Sequence, residues 1–232
     1  MTYDSHTDKQ PVTNLLFPVL KRAHRINAVI LTIFIIVHVA THVSGIFGIE
    51  VYNTVQSYFR VIYRHALVEP ILLTSIISQL IIGAILLVKS LRQGRPSGFW
   101  AWTQILSGGY FLLFATQHLI ALTEARLFFG LDTNFYWPAT VMASAPFIYY
   151  FAPYYFLGVL AVLSHIAVGI RYAIVDAGYP KLADRVGLSM IMGAACLSAF
   201  ILPILAGAYF PIELPDPWID YMRSYDPGFM KP

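Results

Sequence analysis

The chain has 232 residues, of which 58% are hydrophobic and 12% charged, with a mean hydropathy of +0.66 and a formal net charge of +3. This composition excludes an ordinary soluble core and fits an integral membrane protein with several spans. There is no basic tract suited to nucleic acid, no glycine-rich phosphate loop and no Ser–His–Asp spacing, so a bond-breaking reaction carried by this chain alone is not expected.

The first 23 residues are polar and basic and lack an apolar stretch followed by a small-residue cleavage site, which predicts that the first span serves as its own insertion signal. Five apolar runs follow, at about 25–47, 67–91, 100–123, 147–175 and 186–210, each long enough for the roughly 20 residues a helix needs to cross a bilayer. Arg92 to Gly98 is short and rich in helix breakers, so the second and third spans are predicted neighbours across a tight turn. The connections at 48–66 and 124–146 carry Tyr52, Tyr58, Phe59, Tyr63, Phe128, Phe129, Tyr136 and Trp137, and such aromatic loops are expected at the interface, capping the bundle. Cys196 lies inside the last apolar run and, as a lone cysteine, has no intrachain partner. The tail, 211–232, opens on the proline-rich, acidic stretch Pro211 to Pro217, which is unsuited to a helix and is expected to lie along an outer partner surface.

Charge sets the expected orientation. With the N-terminus inside, ten of the 15 lysines and arginines fall on the inner side, and only Arg60, Arg64, Arg126, Arg223 and Lys231 fall outside. The expected placement is therefore N-inside and C-outside in a bacterial or organellar inner membrane, in contact with lipid.

The sequence repeats itself. At an offset of 80, the run from His24 to Val37-His38-Val39 overlays the run from Gln104 to Gln117-His118-Leu119. At an offset of 86, Ser78-Gln79-Leu80-Ile81-Ile82-Gly83 overlays Ser164-His165-Ile166-Ala167-Val168-Gly169. The predicted fold is thus all-α, a single five-helix transmembrane domain over 1–210. Repeat halves at about 20–92 and 100–176 form a four-helix bundle, and 186–210 adds a fifth helix. Bundles of this kind hold cofactors between facing helices.

Helix rise puts His38 about 20 Å and His118 a little over 25 Å from the inner entry of their helices, both in the outer half. Ionisable side chains inside a span are expensive and tend to mark function, so the repeat-related pair is read as two axial ligands of one haem. His42, one turn beyond His38, is read as a hydrogen-bonding residue near a haem edge or an outer quinone, and His65 as a surface hydrogen-bonding residue. An independent metal site on His38 and His42, which share a helical face at i, i+4, and a metal-dependent membrane enzyme using His38, His42, His65 and His118 are further alternatives. Gln79 and His165 fall nearer the inner ends of their helices.

The string His165-Ile166-Ala167-Val168-Gly169-Ile170-Arg171, followed by Asp176-Ala177-Gly178-Tyr179, resembles the haem-ligand helix of the cytochrome b membrane anchors of succinate dehydrogenase and fumarate reductase. His24-Arg25 resembles the start of that family's first helix, and Gln117-His118-Leu119 resembles a motif of its five-helix form. The resemblance implies an outer haem b on His38 and His118, an inner ligand at His165, quinone binding, and iron–sulfur and flavoprotein partners on the inner side. The family's remaining inner histidine is replaced by Gln79, a poor iron ligand, so a single outer haem is expected, with an additional five-coordinate inner haem on His165 as the alternative. Gly83 and Gly169, one turn past the inner positions, would admit a porphyrin face or a neighbouring helix. Arg171 would pair a haem propionate or lipid phosphate. Lys21, His24, Arg25, Trp100 and Trp102 would form an inner quinone site or a belt of interfacial anchors. The competing function is a haem-free scaffold subunit of a larger membrane assembly.

Overall fold

The computed structural model describes residues 12–229; Lys9 and Lys231, both counted in the charge bias, lie outside them. It comprises α1 (Val12–Ser44, extended by a 3-10 turn at Gly45–Phe47), α2 (Ile49–Tyr63), α3 (Val68–Arg92), α4 (Phe99–Leu127), α5 (Tyr136–Met142), α6 (Phe147–Asp176), α7 (Pro180–Leu205) and α8 (Asp216–Arg223). No strand occurs among the described residues.

Five of these helices are long and apolar enough to cross a membrane, and the chain is an all-α integral membrane protein. The shortest, α3, has 25 residues, so it spans about 37 Å against a hydrocarbon core of about 30 Å. The lipid-facing stripes follow the repeat. Ile26 and Ile33 on α1 are exposed, as are their offset-80 counterparts Leu106 and Leu113 on α4. The exposed apolar surface of these helices fits contact with lipid.

Helix α1 packs on α3, α4 on α6, and α3 on α4, which builds the four-helix bundle; α7 lies along α6 and touches α1. Helix α7 differs from the expected 186–210 at both ends. It starts early because Pro180 is favourable in a first helical turn, where no amide hydrogen is needed. It stops early at a bend where Gly207 takes φ 76°.

The two ends of the bundle differ. One, the open end, carries the short connections at 93–98 and 177–179. The other is capped by α2, α5 and α8, so the connection at 48–66 is largely helical and that at 124–146 about half helical. In α2, Tyr52, Gln56, Arg60 and Tyr63 share one face at helical spacing and line the interior of the bundle. The 132–135 connection locks that helix in place: Gln56 Nε2 donates to the Thr133 carbonyl at 3.3 Å, and the Phe135 amide donates to Asn53 Oδ1 at 3.0 Å.

The tail departs from expectation. Residues 211–215 are irregular, but α8 begins at Asp216, with an acidic residue and Pro217 in its first turn, both favourable there. Leu214, Trp218, Ile219, Met222 and Phe229 are buried with Ala125 of α4. The surface assigned to a partner is covered by the chain's own bundle, because the apolar stripe of α8 outweighs the polar composition around it.

Candidate functional site

The offset-80 histidines meet across the bundle. His38 on α1 and His118 on α4 have ring centroids 6.1 Å apart and planes at 79°. Each ring is backed by a phenylalanine one turn earlier on its own helix. Phe34 stacks on His38 at 5.6 Å and 19°, and Phe114 stacks on His118 at 5.6 Å and 23°. Phe34 and Phe114 are themselves related by the offset of 80, so the repeat specifies both the imidazoles and their supports.

A metal ligated by imidazole on both faces lies about 2 Å from each nitrogen, and another ~1 Å separates nitrogen from ring centre, giving centroids about 6 Å apart. The observed separation fits. The rings border a cavity of about 250 Å³ with a largely apolar lining that includes Leu31, Leu72, Ile76, Phe111, Val159 and Val162. His42 meets His38 edge-on at 4.9 Å, and the Tyr52 hydroxyl lies 3.3 Å from His42 Nδ1. Trp137 of α5 meets His118 edge-on at 4.9 Å.

The capped-end mouth of the same cavity is charged. Arg60, Arg64 and Arg126 gather there with Glu69. Arg64 Nε and Arg126 Nη1 lie 3.8 and 4.0 Å from Glu69 Oε1, and Arg60 pairs with Asp132. The Thr133 carbonyl accepts from Arg60 Nη2 at 2.9 Å, and its hydroxyl accepts from Arg126 Nε at 2.9 Å. Arg60 Nε is buried without a partner. Three guanidiniums against two carboxylates leave one positive charge, suited to an acidic group at the edge of a ligand. Burial pushes the Tyr52 phenol above its usual range, with Tyr63 adding to the effect and Arg60 opposing it, so this hydroxyl remains protonated.

The open-end layer differs from expectation in its pairing. Gln79 does not face His165 as a lone partner; His24 of α1 lies between the two in this layer. His24 Nε2 is 3.2 Å from Gln79 Nε2, and the His24 and His165 ring centroids are 6.4 Å apart with planes at 83°. His165 Nδ1 lies 3.4 Å from Ser107 Oγ, and its ring is seated directly over Gly108.

The remaining candidates scatter. A Cβ on Gly83 would touch His24 at 3.6 Å, whereas one on Gly169 would meet nothing within 4 Å. Arg171 is engaged within the protein. Its Nε and Nη2 both donate to Asp184 Oδ1 at 3.0 Å, and its guanidinium lies 4.9 Å from the Trp100 ring centre. The proposed quinone group is dispersed, with Trp100 packed against Gly187, His24 turned to Gln79, and Lys21, Arg25 and Trp102 exposed. His65 is exposed and its Nδ1 accepts from the Leu67 amide at 3.3 Å, a turn contact.

The chain matches no protein-family model, no curated protein and no solved structure.

Among the described residues, no group of three or more His, Cys, Asp or Glu side chains is placed to hold a bare metal ion. The alternative built on His38, His42, His65 and His118 therefore lacks the clustering it requires. What the slot does offer is two opposed imidazoles in a largely apolar cleft with a cationic rim. The Phe34 and Phe114 stacks, the Arg60–Arg64–Arg126 rim and the glycine beneath His165 were not read from sequence. The first was visible in the repeat, and the second in the three arginines that break the charge bias.

Proposed function

We propose that the chain is a haem b-binding membrane anchor of a quinone-linked respiratory complex, with His38 and His118 as the axial pair. The observation that carries this reading is the 6.1 Å separation of two repeat-related imidazoles, each braced by its own phenylalanine, across an apolar slot. The resemblance of the 165–171 and 176–179 segments to succinate dehydrogenase and fumarate reductase anchors supports the same class.

A haem, when bound, supplies one-electron transfer inside the bilayer. The chain's own groups then have separate roles. Phe34 and Phe114 fix the planes of the two imidazoles. Tyr52 orients His42 beside His38 through their hydrogen bond. Leu31, Leu72, Ile76 and Phe111 exclude water, which raises the energetic effect of every nearby charge. Arg60, Arg64 and Arg126 hold carboxylates at the capped end, the end the charge bias assigns to the outside. On this reading, electrons pass between an iron–sulfur partner on the inner side and membrane quinone. The exposed Arg25 at the open end is the residue to substitute in testing quinone contact.

The test is a reduced-minus-oxidised spectrum with haem quantified per chain. The reading expects a low-spin bis-histidine haem b that His118→Ala abolishes. Purified protein without such a spectrum would favour the haem-free scaffold, and a spectrum unchanged by that substitution would overturn the His38–His118 axial pair.

A further inference from the structure

Contacts between α1 and α3 fix how the two helices align along the bundle. Lys89 Nζ lies 3.0 Å from the centre of the Phe17 ring, and His24 Nε2 is 3.2 Å from Gln79 Nε2. Asn27 Nδ2 donates to the Ser75 carbonyl at 2.8 Å and to Ser78 Oγ at 3.0 Å. The helices therefore run antiparallel, with Phe17 level with Lys89 and Asn27 level with Ser75 and Ser78.

This alignment places three cations unusually deep. Lys21, Arg22 and Arg25 lie on α1 between those two levels, about 6, 7.5 and 12 Å farther into the bundle than Phe17. Opposite them α3 carries the unbroken apolar run from Leu80 to Val88, of which Ile81, Ile85 and Val88 are exposed. Such a run in a spanning helix belongs to the hydrocarbon layer. All three cations are exposed as well, so they point to lipid and not into the slot. Snorkelling along the side chain brings Lys21 and Arg22 back to the interface, but Arg25 lies farther in than its own stem extends.

The three positions share one face of α1, within an arc of about 100°. The same face continues with Val29, Ile33 and Ile36, all exposed. Cations followed by a row of apolar side chains match, along one helix, the order of a phospholipid: phosphate first, then acyl chain. No acidic residue occurs on α1, and none of the ion pairs among the described residues involves these three cations.

We propose that this face holds one anionic phospholipid of the open-end leaflet, its phosphate drawn inward to Arg22 and Arg25 and an acyl chain lying along Val29, Ile33 and Ile36. The phosphodiester neutralises guanidiniums that hydrocarbon alone would leave unsolvated. Exposed cations at the rim, such as Arg92 and Arg95 at the short connection, reach water and have no such need. The proposal does not depend on haem in the slot.

The experiment titrates the delipidated full chain in mild detergent with dioleoyl phosphatidylglycerol and with dioleoyl phosphatidylcholine, counting bound lipid by native mass spectrometry. The expected result is one phosphatidylglycerol per chain, held about tenfold or more tighter than phosphatidylcholine. Arg22→Gln combined with Arg25→Gln should weaken it about tenfold or more, whereas Arg92→Gln combined with Arg95→Gln, an equal loss of charge, should change it less than about twofold. Inorganic phosphate should not displace the lipid, since it has no chain for Val29, Ile33 and Ile36. Equal binding of the two lipids, an equal loss in the rim pair, or displacement by inorganic phosphate would overturn the proposal. So would displacement by a short-chain quinone, or a photoreactive residue at position 29 that labels protein instead of lipid in the native membrane. If the Arg22 and Arg25 variant does not fold, the preference of the unaltered chain between the two lipids decides.

Discussion

Gly108 and Gly109 are adjacent on α4 and give a matched pair of substitutions. A Cβ at Gly108 would lie 2.8 Å from His165 Cε1 and 3.1 Å from Nδ1, whereas one at Gly109 would meet Leu87 Cδ2 at an ordinary 3.7 Å. In Gly108→Ala the imidazole must withdraw by about 0.6 Å to regain normal contact, at an overpacking cost of about 1–3 kcal/mol. Both substitutions gain about 1 kcal/mol of helix propensity. Gly109→Ala is therefore expected to stabilise by about 1 kcal/mol, and Gly108→Ala to be neutral or to destabilise by up to ~2 kcal/mol. The difference between the pair, about 1–3 kcal/mol, corresponds to roughly 5- to 150-fold in the folding equilibrium. Denaturant unfolding in a mild detergent, followed by tryptophan fluorescence, measures it. Equal stability of the two variants would refute the seating of His165 on Gly108, and with it the geometry of the open-end layer.

Other expectations concern groups away from that layer. Arg171→Ala breaks an ion pair whose acid is half exposed, together with a stack on Trp100, and should cost about 1–2 kcal/mol. Asp184→Asn should cost less, and a larger loss from Asp184→Asn than from Arg171→Ala would contradict the stacking contribution. Tyr52 has a folded pKa above its ordinary value near 10, so the folded state holds the proton more firmly than the unfolded one. Stability from the protonated phenol is complete below about pH 10 and falls as the pH rises further, so Tyr52→Phe should flatten the alkaline side of the stability profile. Its cost at neutral pH should be only the about 0.5–1.5 kcal/mol of the His42 hydrogen bond. Parallel profiles above pH 10 would refute the burial argument. Trp218→Ala removes a side chain that is 4% exposed, and should loosen the tail by about 3–5 kcal/mol. Limited proteolysis should then cut between residues 206 and 216 while the five long helices persist; unchanged resistance would show that α8 is held by something else.

The five spans were legible because apolar length and breaker-rich turns depend on local composition, and the repeat was legible because His38 and His118 stand out in apolar sequence. The ends of α7 were less so, since Lys181, Asp184 and Arg185 are polar yet belong to a helix that starts at Pro180. Helices α2 and α5 were masked by their aromatic content, although the Tyr52–Gln56–Arg60 spacing carried the periodicity. Arg171 was read from a motif that fixes its position in sequence, but its partner Asp184 comes from the next helix and is set only by packing. The same holds for Gly169. Its place beside a histidine suggested close approach, whereas glycines that take a neighbour's ring include Gly108, Gly158 and Gly187, beneath His165, Phe114 and Trp100. Arg60, Arg64 and Arg126 looked like residual outer charges, and only the placement of α2 across the capped end shows them converging at the cavity mouth.

The burial of α8 and Phe229 against Ala125 has a consequence for biogenesis. The elements of this roof are far apart in the chain: Ala125 closes α4, α5 follows it, and the covering segment is made only after α6 and α7. During synthesis, a chain with five inserted helices still has this part of its capped end uncovered, and the segment from Leu214 onward docks last. Docking of that segment thus sets a clock: the α4–α5 surface at the capped end is open while it is pending and covered afterwards.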